Sequence, residues 1–114
     1  MGNEPTEVLD RVYAALSDPA RRSIVRRLAR GEATVGEVAE PLDMALPSVS
    51  KHIKVLERAG LVARRVEGRR HFLHLEPHAL RTAGEWLSFY RPFWEGGADR
   101  LSALVAELDE QERG

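Results

Sequence analysis

A chain of 114 residues with 43% apolar content is one domain's worth of sequence and supports one modest core. No run approaches the roughly 18 apolar residues of a membrane span, and the acidic start MGNEPTEVLD lacks the apolar stretch of a secretory leader. Zero cysteines remove disulfides, thiolate metal sites and thiol redox chemistry, so a soluble cytoplasmic protein is expected.

The formal net charge of −1 conceals a division. Between Pro47 and His74 stand seven basic residues (Lys51, Lys54, Arg58, Arg64, Arg65, Arg69 and Arg70) against two acids, Glu57 and Glu67. From Glu95 to Gly114 six acids face two arginines. A basic middle of this kind is the electrostatic footprint expected of a nucleic-acid partner.

In chain order, Val8, Leu9, Val12, Tyr13 and Leu16 recur at helical spacing over Glu7 to Leu16. The next helix is marked by Asp18 as a cap, Pro19 at its first position and Gly31 just past its end. Ile24, Val25 and Leu28 face the core, and Arg21, Arg22, Arg26, Arg27 and Arg30 fill the remaining faces, as solvated residues. Thr34 and Glu37 form a capping box that starts a short third helix, with Val35, Val38, Ala39 and Leu42 inward. Pro41 stops it. After the connection Asp43-Met44-Ala45, a fourth helix runs from about Leu46 to Arg58, with Pro47 in its first turn and Gly60 at its end. Its inward residues are Val49, Ile53, Leu56 and Val55.

The other face of that fourth helix carries Pro47, Ser48, Ser50, Lys51 and Lys54, with His52 at the margin. Short hydroxyl side chains allow close approach to a groove floor, and flanking lysines neutralise phosphates. Helix-turn-helix proteins enter the major groove in this way. The segment beyond Gly60 makes the reading specific. Leu61 to Val66 alternates, Glu67-Gly68-Arg69 is a turn, and Arg70 to Leu75 alternates again, which predicts a β-hairpin with arginines at its tip. Arg64, Arg69 and Arg70 would then reach the phosphate backbone or the adjacent minor groove.

Three stretches, LSDPARRSIVRRLARG, TVGEVAE…LPSVSKHIKVLERAGLV and VEGRRHFLHL, resemble the ArsR/SmtB family of bacterial winged-helix repressors. The resemblance covers roughly Val8 to Leu75 and is most specific over SVSKHIKVLERAGLV. It implies a mainly α fold with a small β-hairpin, homodimeric through its first and last helices, that binds palindromic operators and releases them when an effector binds. It also implies that Ser48, Ser50, Lys51 and His52 read DNA while the wing arginines hold the backbone. Two positions depart from the pattern: Ala45 stands where relatives often have a Ser cap, and Leu46 where they often have Gln. Leu46 can offer an apolar contact to a thymine methyl.

Residues Pro77 to Leu108 hold five of the seven aromatics. Trp86, Tyr90, Phe93, Gly97, Leu101, Leu104 and Leu108 fall on one helical stripe, widened by Phe89, Trp94, Ala98 and Val105. Pro92, Gly96 and Gly97 interrupt it, so two helices or one kinked near Arg91 are expected. The stripe exceeds what so small a domain can bury. Together with Leu9 and Tyr13 of the first helix it predicts an interface with a second copy, or a hydrophobic effector pocket at the Pro92 break. The whole chain reads as a single winged-helix domain: helix-turn-helix at about 34–60, wing at about 61–76, dimerisation helices at about 77–109.

Metals are the family's best-known effectors, yet TVGEVAEPL contains no Cys and no His lies beyond His78. His71 and His74 differ by an odd number of positions and project from opposite faces of a regular strand. No metal or cofactor is expected, and no effector is named by the sequence. Catalysis is not expected either: there is no Cys nucleophile, no Gly-x-Ser-x-Gly elbow and no phosphate-cradling Gly loop. The competing reading is a winged helix that binds proteins rather than a DNA sequence; it calls for an apolar fourth-helix surface, where this one is basic.

Overall fold

Local signals set the element boundaries of this computed structural model, which describes residues 4–95 and residue 106, with side chains from Glu7 onward. The order is α1 (Glu4–Ala15), α2 (Pro19–Leu28), β1 (Ala33–Thr34), α3 (Val35–Ala39), α4 (Leu46–Arg58), β2 (Val62–Glu67), β3 (Arg70–Leu75) and α5 (Pro77–Ser88). Asp18 caps α2 by accepting from the Ala20 and Arg21 N–H groups at 2.8 and 3.2 Å. That helix ends at Leu28, so Gly31 lies beyond its cap residue, Ala29, in the turn leading to β1. The capping box of α3 is complete: Glu37 N–H donates to Thr34 Oγ1 at 3.1 Å, and Thr34 N–H donates to Glu37 Oε1 at 2.9 Å. Pro41 comes within two residues of its last position.

Helix α4 has the bounds its punctuation predicts. Past Arg58, Leu61 N–H returns to Leu56 O and Gly60 N–H to Glu57 O, both at 3.0 Å, with Gly60 at φ 75°. This is the Schellman arrangement, in which a left-handed residue lets the chain turn back over the last carbonyls. Its hydrophobic partners, Leu56 and Leu61, are both fully buried.

The sheet order is β1-β3-β2, antiparallel throughout. Glu67 pairs with Arg70, which leaves a two-residue loop with Gly68 first at φ 60°, the position where a type II′ hairpin turn takes glycine. β1 is an element the sequence pattern does not predict: Ala33 pairs with Leu73 and Thr34 with Phe72. The core joins Val12, Ile24, Val38, Val49, Ile53, Leu56, Leu61 and Leu73, all fully buried. Burying one such side chain contributes about 2 kcal/mol. Val55, expected inward, is only half-buried and packs against the core's margin. Val35, Ala39 and Leu42 are likewise partly buried.

The chain divides into two compact units, residues 1–83 and 84–114. Within the first, the Tyr13 hydroxyl donates to Ala83 O at 2.9 Å, and desolvation raises the phenol above its ordinary pKa. In the second, α5 ends at Ser88, a turn occupies Phe89 and Tyr90, and residues 91–95 are helical again. The predicted interruption therefore falls just ahead of Pro92. Leu101, Leu104 and Leu108 lie outside the described residues.

Candidate nucleic-acid interface

With Val49, Ile53 and Leu56 turned into the core, helical geometry fixes what α4 presents outward. Leu46, Pro47, Ser48, Lys51, Lys54 and Arg58 are exposed along its length, and Leu46 is 58% accessible despite being apolar. Ser50 and His52 are half-buried on opposite flanks of that ridge. Arg58 continues the line of Lys51 and Lys54 and joins the surface as a member that the serine and lysine pattern alone does not pick out; its position one turn past Lys54 is the signal for it in sequence. Among the described residues no ion pair holds Lys51, Lys54, Arg58 or Arg69.

The helix's leading turn is bare. Ala45 supplies no side-chain cap, although its carbonyl accepts from Ser48 and Val49 N–H. Pro47 has no N–H to satisfy.

The wing arginines separate into two kinds. Arg64 is committed within the protein: it donates to Glu57 Oε1 at 3.0 Å and Oε2 at 3.3 Å, and to His71 Nδ1 at 3.0 Å. Arg65 is held by Glu67 and by Glu32, the latter at 2.6 Å, and these hydrogen bonds raise its pKa further. It also stacks over Phe72, 4.5 Å from the ring centre, with Arg70 on the same ring at 5.0 Å. Arg69 is exposed in the turn itself. Arg64, Arg69, Arg70 and His71 line an open cleft of about 410 Å³ whose other wall is Thr34, Val35 and Gly36. His74 pairs with Glu76 at 2.8 Å.

On the far flank of α4, Arg21 of α2 donates to His52 Nδ1 at 3.1 Å. Sequence alone leaves Arg21 among five undistinguished arginines of its helix. Asp18, the cap of α2, accepts from the backbone N–H of Arg21 itself. Partial desolvation works to raise its carboxyl pKa, but hydrogen bonds from the Arg21 and Ala20 N–H groups and electrostatic attraction to its surroundings, the Arg21 guanidinium among them, hold it below the ordinary value.

The arrangement is a helix-turn-helix whose second helix shows a small-residue and basic ridge, with a basic hairpin after it. A helix-turn-helix domain family matches residues 16–65. The chain is similar to the HTH-type transcriptional regulator Rv2034 of Mycobacterium tuberculosis, 48% identical over 71 residues that span 62% of this chain and 66% of that one. In structure it resembles the ArsR family transcriptional regulator RHA00566, with a TM-score of 0.72 and 41% identity, over 79% of this chain and 93% of that chain. It also resembles the homodimeric winged helix-turn-helix DNA-binding domain Mb0332 of Mycobacterium bovis, with a TM-score of 0.62 and 27% identity, over 80% and 85%. Motif, hairpin and relatives agree, and the chain belongs to the ArsR/SmtB family of winged helix-turn-helix transcriptional regulators.

Proposed function

We propose that the protein is a homodimeric repressor that binds an inverted-repeat DNA operator in the cytoplasm. The observation that carries this reading is the exposed ridge of α4, with Leu46, Pro47, Ser48, Lys51, Lys54 and Arg58 in line, beside the exposed turn residue Arg69. Ser48, Ser50 and His52 contact base edges or phosphates, the lysines neutralise phosphates, and Leu46 meets a thymine methyl. Arg69 and Arg70 serve the backbone from the wing, and Arg64 acts from its place beside Glu57 and His71.

Dimerisation uses the aromatic arm and α1. Phe89 and Phe93 are 79% and 83% accessible, and Trp86, Tyr90 and Trp94 are exposed beside them in sequence. Contiguous apolar surface of this kind marks an interaction site, and the dimeric relative supports a second copy as its occupant. Leu9 and Tyr13 contribute from α1, Leu101, Leu104 and Leu108 from the continuation of the arm. The two reading helices then lie about one DNA turn apart, roughly 34 Å.

Fluorescence anisotropy with the DNA upstream of the protein's own gene tests the reading. Binding is expected to weaken steeply as salt rises, and Lys51→Ala and Arg69→Ala should each lower the salt slope by about one unit. Salt-insensitive binding, or none, would sink it and leave the protein-interaction module as the better account.

A further inference from the structure

Arg21 belongs to the first turn of α2, yet its guanidinium reaches across the end of α1 to the reading helix. Nε donates to Ala15 O at 2.6 Å, Nη2 to Ala14 O at 3.2 Å and Nη1 to His52 Nδ1 at 3.1 Å. Both carbonyls belong to the last turn of α1, which ends at Ala15, and that of Ala14 also accepts from the Ser17 N–H at 3.2 Å and hydroxyl at 2.6 Å. The guanidinium is therefore anchored on two backbone carbonyls at the end of α1.

The chemistry of the third contact has one solution. A guanidinium has five N–H donors and no acceptor, so His52 Nδ1 must offer its lone pair. The neutral imidazole then carries its proton on Nε2. Because the two ring nitrogens face roughly opposite ways, that N–H is directed away from α2. Among the described residues no hydrogen bond to His52 other than that of Arg21 is found. His52 lies one turn past Ser48 and next to Lys51, on the flank of the exposed ridge.

The wing repeats the device with different parts. Arg64, gripped by both oxygens of Glu57, donates to His71 Nδ1 at 3.0 Å. His71 too is left with its proton on Nε2. Two histidines at the two edges of the basic surface are thus held by arginines that are themselves held by the fold.

We infer that Arg21 is a positioning residue for DNA reading: it fixes His52 as an obligate Nε2–H donor toward a hydrogen-bond acceptor of the duplex. This rests on the proposal that α4 reads DNA. The acceptor is a base-edge atom (guanine O6 or N7, thymine O4) or a phosphate oxygen. A free histidine would sample both tautomers and accept as readily as donate; this one cannot.

The test combines a tautomer measurement without DNA and a binding measurement with it. Long-range ¹H–¹⁵N spectra of the intact protein, above the pH at which histidine is charged, should show His52 with its proton on Nε2. Arg21→Met should give mixed tautomers, and Arg21→Lys, which retains a donor, should restore one. With a duplex selected by the wild-type protein from a randomised pool, Arg21→Met and His52→Ala should each lose about tenfold in affinity. The double variant should lose no more than either alone. If reselection with Arg21→Met relaxes the base preference at one position, the acceptor is a base edge; a uniform loss across sequences identifies a phosphate. A wild-type His52 protonated on Nδ1, or additive losses in the double variant, would overturn the inference. A fixed tautomer with no DNA binding by any variant would instead overturn the DNA reading on which it rests.

Discussion

The helices α3 and α4 begin in opposite ways. α3 spans only Val35–Ala39 and has a single fully buried residue, Val38, and its start is closed by two reciprocal hydrogen bonds. α4 runs for 13 residues, seats Val49, Ile53 and Leu56 in the core, and begins at Ala45 with no side-chain cap. A five-residue helix is far below the length that propagates on its own, so it depends on its cap. The longer helix is held by packing and can leave its first turn clear. On the proposed reading, that is the turn which approaches a groove floor.

Removing the packing that holds α4 should have the largest effect. Ile53→Ala should cost about 2–5 kcal/mol in urea denaturation, because a fully buried β-branched residue leaves a cavity. A cost under about 1 kcal/mol would show that α4 is held by something other than its buried face. Thr34→Ala comes next, at about 1 kcal/mol, since it removes one side of the box on which α3 relies. If that substitution proved neutral, the contrast between the two helix starts would have no energetic content. Ala45→Ser should act in the opposite sense and stabilise the fold by a few tenths to about 1 kcal/mol, raising the denaturation midpoint.

The smallest effect is in the pH dependence. The backbone and side-chain hydrogen bonds of Thr34 hold the Glu37 carboxyl below its ordinary pKa. Asp18 is likewise lowered, the hydrogen bonds and charges around it outweighing its partial desolvation. For a carboxylate whose folded pKa lies below the unfolded one, the stabilisation is present above the ordinary carboxylate range. It is lost as pH falls through the depressed value. Glu37→Gln and Asp18→Asn should therefore flatten the acid limb of the melting temperature against pH, whereas Ala45→Ser should leave the slope of that limb unchanged.

Much of this architecture is legible in the sequence because its signals are local. Thr34 with Glu37, Pro47 with Gly60, and Gly68 in its turn each act within a few residues, and the elements start and stop accordingly. β1 is not legible, since two residues, Ala33 and Thr34, cannot display an alternation. The uses of the arginines are hidden for a different reason. Arg21 meets His52 across 31 positions and Arg65 meets Glu32 across 33, and one arginine among five on α2 looks like its neighbours until the fold brings a partner to it. Arg64 and Glu57 are only seven residues apart, but they sit on a helix and a strand whose relation depends on the Gly60 turn. Charge totals locate a basic surface; they do not say which of its members the protein has already engaged.

Thr34 both pairs with Phe72 in the sheet and caps α3, so the wing grows directly out of the helix-turn-helix. The Glu57–Arg64 pair ties the same wing to α4. On the proposed reading, helix and wing are thus two DNA contacts on a short linker, and once one has landed the other has almost no volume left to search. Their span is a gauge fixed before DNA arrives. A duplex whose grooves do not match it must bend or twist to meet both contacts, so the stiffness of base steps that no side chain touches becomes part of what is recognised.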